Sequence, residues 1–592
     1  MTPLIALLVL LSSVLASQAA PVPVKLEEGE GTWRLVRAGK PYEIKGGGGS
    51  SALELLKTCG ANSIRTWGVD AKTGDLLDAA HEQGLTVAVG IWLDHLNHGA
   101  NYEDAALLER QRTQVREAVE KFKDHPAVLV WGLGNEMEVG EGGDTNVALW
   151  RQINSLAKLV KELDPNHPTM TVIAEVGGKK VPSIEAHCPD LDLLGINAYG
   201  GASSLMKRYR ELGGTKPVVL TEFGPLGFWE VGRNGIGAAD EMKSGEKAKF
   251  YGSAYQGIAS DPMGLGSYAF LWGNKQEATA TWFGMLLESG ERTAAVDTMA
   301  ELWGAPVKNR VPQIEALKWA GDASLKPGAI VKPTLSASDP EGDPLRMKWV
   351  LMDDALDYGF GGYAQQRPRE YPEALIRGDL SGAEFQMPSN GGFYRLYAYV
   401  YDNAGGAAVA NLSLKVDAPR RPPVAATAKL PLTVFDEPTA SPIYYPSGYM
   451  GDGGSIQMRE DCTDSPKVGD HCLEVRFTKG DGWGGVVWQD PPNDWGDAPG
   501  GLNLAGAKEM TFWARGAKGG EKVKFCFGLI GEDKPFHDSA KLEMELKLKT
   551  EWTRYGFLLS GQDLSRIKTP FAWSLAANGE PMTFYLDEMV IR

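Results

Sequence analysis

Residues Ala127–Glu138 read A-V-L-V-W-G-L-G-N-E-M-E. The unbroken apolar run up to Trp131 is the pattern of a strand buried on both faces. Gly132, Gly134 and Asn135 then interrupt it, and Glu136 follows where such a strand leaves the core. A second stretch answers the first. Pro217–Gly224, P-V-V-L-T-E-F-G, is again an apolar run, and it ends on Glu222 beside a glycine. A single glutamate at a strand end is usually a solvated side chain. Two of them, each behind a buried strand, instead suggest paired carboxylates held at one end of a parallel sheet.

Working outward, the same pattern recurs. Short apolar runs fall at Tyr42–Gly46, Asn62–Trp67, Thr86–Trp92, Val128–Asn135, Thr169–Glu175, Leu193–Tyr199, Val218–Phe223 and Ser267–Trp272. Stretches with 3.6-residue apolar spacing lie between them, at Ala52–Thr58, Leu76–Gln83, Ala105–Lys123, Val147–Leu163, Ser203–Leu212 and Glu246–Ile258, with a last helix at Thr293–Leu302. Asp75 and Ser203 are candidate N-caps, and Gly60 and Gly84 sit where helices should stop. Eight strands alternating with helices predict a (β/α)8 TIM barrel over residues 21–304, with residues before Pro41 as a polar lead-in. Near Pro306 the helical periods end. Alternating runs such as Tyr394–Val400 predict an Ig-like β-sandwich over 305–417. Residues 418–431, rich in proline, read as a linker, and 432–592 as a third, all-β domain with a jelly-roll sandwich.

The chain of 592 residues is too long for one core, so this multidomain division is expected. A net charge of −16 argues against nucleic acid and anionic membranes as partners. Residues 1–20 have the apolar core and small residues of a signal peptide, although no Lys or Arg precedes that core. The expectation is a secreted or periplasmic protein, free of the membrane after cleavage; the sequence sets no oligomeric state. Of five cysteines, Cys462 and Cys472 flank a polar loop and are the best candidates for a disulfide.

Breaking a glycosidic bond needs one carboxyl to protonate the leaving oxygen and another to attack or stabilise the anomeric carbon. Glu136 and Glu222 fit those roles. Around them, Asn135 offers an amide for a sugar hydroxyl, and Arg65, in S-I-R-T-W-G, a guanidinium to keep a carboxylate charged. Tyr199 offers a hydroxyl to the nucleophile, and Trp272 a flat face for a pyranose ring. Loops at the same face add His95, Trp229 and Trp282 as further sugar contacts, with His98 in the same loop as His95. No metal-ligand spacing accompanies the histidines, and catalysis is expected to need no cofactor.

The motifs W-G-L-G-N-E, L-T-E-F-G, R-T-W-G, N-A-Y and F-L-W-G resemble those of glycoside hydrolase clan A, with the closest likeness to the barrels of families 2 and 5. The resemblance covers about residues 41–304. It implies retaining hydrolysis with Glu136 as acid/base and Glu222 as nucleophile, and it places Arg65, Asn135, Tyr199 and Trp272 around the first sugar. Family 5 has a histidine where this chain has Asn197, and family 2 proteins usually carry sandwiches before the barrel. The stretch G-A-N-S-I-R-T-W-G-V-D is also similar to secreted β-1,3-glucan transglycosylases, which points the substrate towards β-glucan and keeps glucanosyl transfer as an alternative. A catalytically dead glycan-binding barrel is the other alternative. In the second domain, Asp339, Glu341, Asp343 and Asp402 resemble the loop ligands of cadherin-like and polycystic-kidney-disease modules, which implies an optional structural calcium ion. The third domain resembles a carbohydrate-binding module, with Trp483, Trp488, Trp495 and Tyr449 as glycan-stacking candidates.

Overall fold

The computed structural model describes residues 21–354, 365, 367–418, 426–438 and 442–592. The expected leader, and residues 419–425 of the expected linker, lie outside the described residues.

Eight parallel strands close into a barrel in sequential order: Ile44–Gly48, Ser63–Arg65, Thr86–Ile91, Val128–Leu133, Thr169–Ala174, Leu193–Asn197, Val218–Phe223 and Gly264–Ala269. They are called barrel strands one to eight below. The apolar runs among them, such as Val128–Leu133 and Val218–Phe223, follow from burial on both faces. Ala88, Val130, Met170, Val172 and Val219 fill the interior, while Val128, Trp131 and Leu133 pack outward with Leu149 and Ile153 of helix Val147–Leu163. Each such side chain is worth roughly 1.5–3 kcal/mol when fully buried, so a charge within a run would unseat the strand. Two helices carry side-chain N-caps. Asp104 accepts from the amide of Ala106, and Asn146 from that of Leu149. The expected caps differ. Asp75 lies inside helix Thr73–Glu82, in its first turn, where a carboxylate still suits the helix dipole. Ser203 belongs to a 3-10 turn ahead of helix Leu205–Glu211.

The polar lead-in is a correction. Val24–Gly29, Thr32–Arg37 and Lys40–Tyr42 form an antiparallel sheet. Val24 and Leu35 from this sheet join the barrel's interior cluster. The Val24 amide bonds to Asn166 O, that of Trp33 to Pro262 O, and Arg37 Nη2 to Pro126 O. All three acceptors precede barrel strands, so the sheet closes the barrel at the end away from the strand tips.

The chain divides into two compact units, residues 1–419 and 420–592. The first contains the barrel and a β-sandwich. One sheet of the sandwich is built on Gln313–Lys318, Thr334–Ser338 and Gly382–Gln386, the other on Arg346–Asp353, Gly392–Tyr401 and Ala407–Val416. Strand Gly392–Tyr401 has no solvent face. Tyr394, Leu396, Ala398 and Val400 fill the sandwich core, while Tyr397, Tyr399 and Tyr401 cluster with Leu287 of the barrel. Arg395, on that second face, is 1% exposed. It donates to Asp354 and to Ala239 O, on the loop after barrel strand seven. Nearby, buried Lys247 pairs with Glu241 at 2.5 Å and donates to Thr281 O. Burial pushes the Lys247 ammonium below its usual range.

The second unit is a sandwich of a six-stranded and a five-stranded sheet around Phe512, Phe525, Phe571, Trp573 and Phe584. Its Cys462 and Cys472 are register partners on adjacent strands, and all five cysteines of the chain are buried free thiols. Among the described residues, no helix is long and apolar enough to cross a membrane.

Candidate active site

Glu222, 6% exposed, is the penultimate residue of barrel strand seven, and three donors converge on its carboxylate. Arg65 Nη1, from the tip of strand two, reaches Oε1 at 2.9 Å. The Trp67 indole N–H, two residues further on, donates to the same oxygen at 2.8 Å. The Tyr199 hydroxyl, past the tip of strand six, donates to Oε2 at 2.9 Å. Burial and the surrounding carboxylates of Glu222, Glu277 and Glu136 hold the Tyr199 phenol well above its ordinary pKa, so it stays a donor.

Strand four ends differently. Gly134 has φ +74°, and its amide bonds to Ile91 O of strand three. Glu136 then takes φ +53°, a left-handed conformation that costs a non-glycine residue about 1–3 kcal/mol and that clusters at functional sites. The turn sends the Glu136 amide to Val172 O on strand five at 2.8 Å and leaves the side chain partly exposed at the barrel mouth. Its carboxyl accepts from Asn197 Nδ2 at 2.7 Å. Burial, followed by the charge of Glu222, pushes the Glu136 carboxyl up to about 8, against the opposing pull of Asn197 and Arg65.

The two glutamates are joined by one polar chain. Arg65 bridges Glu222 to Asn135 Oδ1, at 2.9 and 2.6 Å. Asn197 bridges Asn135 to Glu136, and Thr221 Oγ1 fixes the Asn197 amide at 2.8 Å. Gly90 lets the wall close. A Cβ there would stand 2.2 Å from Thr66 O, so strand three lies directly against the turn that carries Trp67.

The structure therefore brings Glu136, Glu222, Arg65, Asn135 and Tyr199 together. It adds Trp67 and Asn197, which the sequence reading did not assign. Trp67 was within reach, two positions from Arg65 on the same tip. Asn197 was read only as a departure from a family pattern, although its amide is the side-chain donor to Glu136.

Several aromatics are placed otherwise than expected. Trp272 is fully buried, with its Cβ packed on Gly47 and its ring 6.4 Å from Trp303, and it offers no open face. Trp282 is 2% exposed, and its N–H donates to Leu226 O. Trp229 is 53% exposed and meets Tyr199 edge-on at 5.4 Å. His95 is buried in a stack between Trp92 and His98, at ring distances of 4.5 and 5.1 Å. Burial lowers its pKa to about 4, so the imidazole is neutral at neutral pH. In the second unit Trp488 belongs to the core, at 1% exposure, and Trp495 is half-buried. Trp483 and Tyr449 are the exposed members of that set.

The four acidic residues of the sandwich loop bind backbone and amide groups. Asp339 Oδ1 caps the amides of Glu341 and Asp343, and Asp402 Oδ1 those of Ala404 and Gly406. Glu341 accepts from the Arg310 amide, and Asp343 from Asn309. Among the described residues, no three His, Cys, Asp or Glu side chains are grouped to hold a metal ion.

Residues 51–233 match the family model described as glycosyl hydrolases family 2, TIM barrel domain. A probable mannan endo-1,4-beta-mannosidase C of Aspergillus terreus is 27% identical over 148 residues, covering 21% of this chain and 36% of that protein. A beta-glucuronidase of Paenibacillus borealis is 29% identical over 211 residues, covering 31% of this chain and 33% of that protein. The chain thus spans about a third of the length of each curated relative. Among solved structures, a Ruminococcus gnavus beta-glucuronidase aligns with 48% of this chain and 53% of its own, at 17% identity and a TM-score of 0.40. A Bacteroides uniformis beta-glucuronidase aligns with 96% and 67%, at 13% identity and 0.39. Over residues 51–233, the barrel that carries Glu136 and Glu222 is thus similar to the TIM-barrel domain of glycosyl hydrolases family 2.

Proposed function

We propose that this chain is a retaining β-glycoside hydrolase that acts on a β-linked oligosaccharide or polysaccharide, with β-glucan as the leading substrate. The observation that carries the reading is the asymmetry of the two carboxyls. Glu222 is gripped by three donors, while Glu136 has its proton held by burial and a nearby charge. That is the division of labour between a nucleophile and an acid. Glu222 attacks the anomeric carbon as Glu136 protonates the departing oxygen. Glu136, now a carboxylate, then takes a proton from the water that releases the sugar from Glu222. Retention requires the two carboxyl groups to stand roughly 5–5.5 Å apart. The test is incubation with aryl β-glycosides and laminarin, following the anomeric proton of the first product by NMR. Initial release of the β-anomer supports the reading, and the α-anomer would replace retention with inversion. Products longer than the substrate would instead favour glucanosyl transfer through the same residues.

Two further parts of the proposal rest on the sequence and on exposure. Export follows from residues 1–20, and N-terminal sequencing of the mature protein should start close to Ala20. Glycan binding by the second unit rests on Trp483 and Tyr449, at 50% and 48% exposure. Replacing both with alanine in the full chain should reduce retention on insoluble β-glucan. Unchanged retention would make this sandwich a structural domain.

A further inference from the structure

Among its described residues, the barrel exposes only two large apolar side chains beyond about a third of their surface, Trp92 at 42% and Trp229 at 53%. Both stand at the end that holds Glu136 and Glu222. Trp92 directly follows barrel strand three, and Trp229 lies in the loop after strand seven. In the closed ring of eight, strands three and seven are diametrically opposed. A line drawn between the two indoles therefore crosses the mouth, where Glu222 tops strand seven and Glu136 follows strand four.

Trp92 is built in rather than loose. Its backbone neighbour Ile91 accepts from Gly134, two residues before Glu136. Its Cβ lies 3.8 Å from where a Cβ on Gly68 would stand, next to the Trp67 that donates to Glu222. One face of its indole is stacked on His95 with the planes 20° apart, and His98 extends the stack at 14°. The neutral His95 gives the indole a flat, uncharged backing. A supported aromatic with an exposed surface at the mouth of a carboxylate site suits the apolar face of a sugar ring.

The charges around the mouth add a constraint. Arg65 is paired with Glu222, Lys180 with Glu138, Arg208 with Glu175 and Lys275 with Glu277. With these cations committed and a net charge of −16, a neutral glycan fits better than a polyuronate.

We propose that Trp92 is a second sugar platform, and that Trp92 and Trp229 hold two parts of one neutral β-linked chain that runs across both carboxylates. This rests on the hydrolase reading above and specifies its substrate as a chain that extends to both sides of the cleaved bond. Binding energy gathered at a remote platform raises kcat/KM for substrates long enough to reach it.

The experiment uses neutral β-glucan oligosaccharides of two to six sugars, labelled at the reducing end, with the wild type, Trp92→Ala and Trp92→Phe. Thermal melts confirm that each variant is folded. The wild type should cleave internal bonds, with kcat/KM rising at least tenfold from dimer to hexamer. Trp92→Ala should lose activity increasingly with chain length, about tenfold on the hexamer, and should shift the preferred bond. Trp92→Phe, which keeps a ring, should recover most of it. A length-independent wild-type rate, removal of single sugars from one end only, or an equal loss at every length would overturn the platform and leave the hydrolase reading intact. Failure of the folded wild type to cleave any glycan would overturn both.

Discussion

The tips of barrel strands four and seven carry the same residue type and treat it in opposite ways. Strand seven continues past Glu222 to Phe223, and Glu222 meets donors from strand two, the turn after it and the tip of strand six. Strand four breaks at Gly134, and Glu136 sits in a left-handed turn with Asn197 as its side-chain donor. The first arrangement distributes negative charge over fixed donors. The second leaves a carboxyl whose ionisation burial opposes. What would separate the proposed acid from the proposed nucleophile is thus the neighbourhood that the other strands supply, not the glutamates themselves.

Removing each carboxyl tests that division most severely. Glu222→Ala should lower kcat by roughly four orders of magnitude or more on every substrate, because it removes the proposed nucleophile. Glu136→Ala should cost about 10²–10⁴-fold on substrates with poor leaving groups and far less on a dinitrophenyl glycoside, which needs little protonation. Similar losses for both leaving groups would remove the distinction between the tips.

Asn197→Ala sharpens the comparison further. Its hydrogen bond favours the charged form of Glu136, so its loss should raise that carboxyl above about 8 and move the alkaline limb of the kcat/KM profile to higher pH. A tenfold drop in rate without a shift in that limb would assign Asn197 to substrate contact alone.

The smallest effect is on stability. The folded pKa of Glu136 lies above its usual value of 4.5. The folded state therefore binds the proton more tightly, and the resulting stability is complete below about 4.5 and lost as pH rises through about 8. Glu136→Gln mimics the protonated form. It should melt at a higher temperature than the wild type at pH 9 and show little difference at pH 4, measured by calorimetry. A difference that does not change with pH would show that Glu136 carries no such shift.

Much of this layout is legible in the sequence, for a physical reason. Parallel strands buried on both faces read as apolar runs, as in Val128–Leu133 and Val218–Phe223, so the strands that carry the two carboxylates stand out, while Ile44–Gly48 and Ser63–Arg65 are marked by glycines and a strand-end arginine instead. The N-terminal sheet was missed because its strands alternate with Lys25, Glu27 and Glu28, as an edge sheet does, and resemble a polar leader. Helix Lys180–His187 was missed because it is short and carries Pro182 in its first turn. Strand Gly392–Tyr401 shows the limit from the other side. Its alternation suggested one wet face, yet Tyr397, Tyr399 and Arg395 meet the barrel. Exposure fails to read for the same reason. Trp272 and Trp229 are alike as letters, and only distant partners such as Gly47 and Trp303 decide which is buried.

The central claim is that Glu222 attacks the sugar while Glu136 manages the proton. A 2-deoxy-2-fluoro-β-glycoside with a dinitrophenyl leaving group slows the breakdown of any glycosyl-enzyme and allows it to accumulate. Peptide mass spectrometry of the inactivated enzyme should then find one fluorosugar on the peptide that contains Glu222, with activity returning as that adduct hydrolyses. An adduct on Glu136, or turnover of the reagent with no covalent species on Glu222, would contradict the assignment.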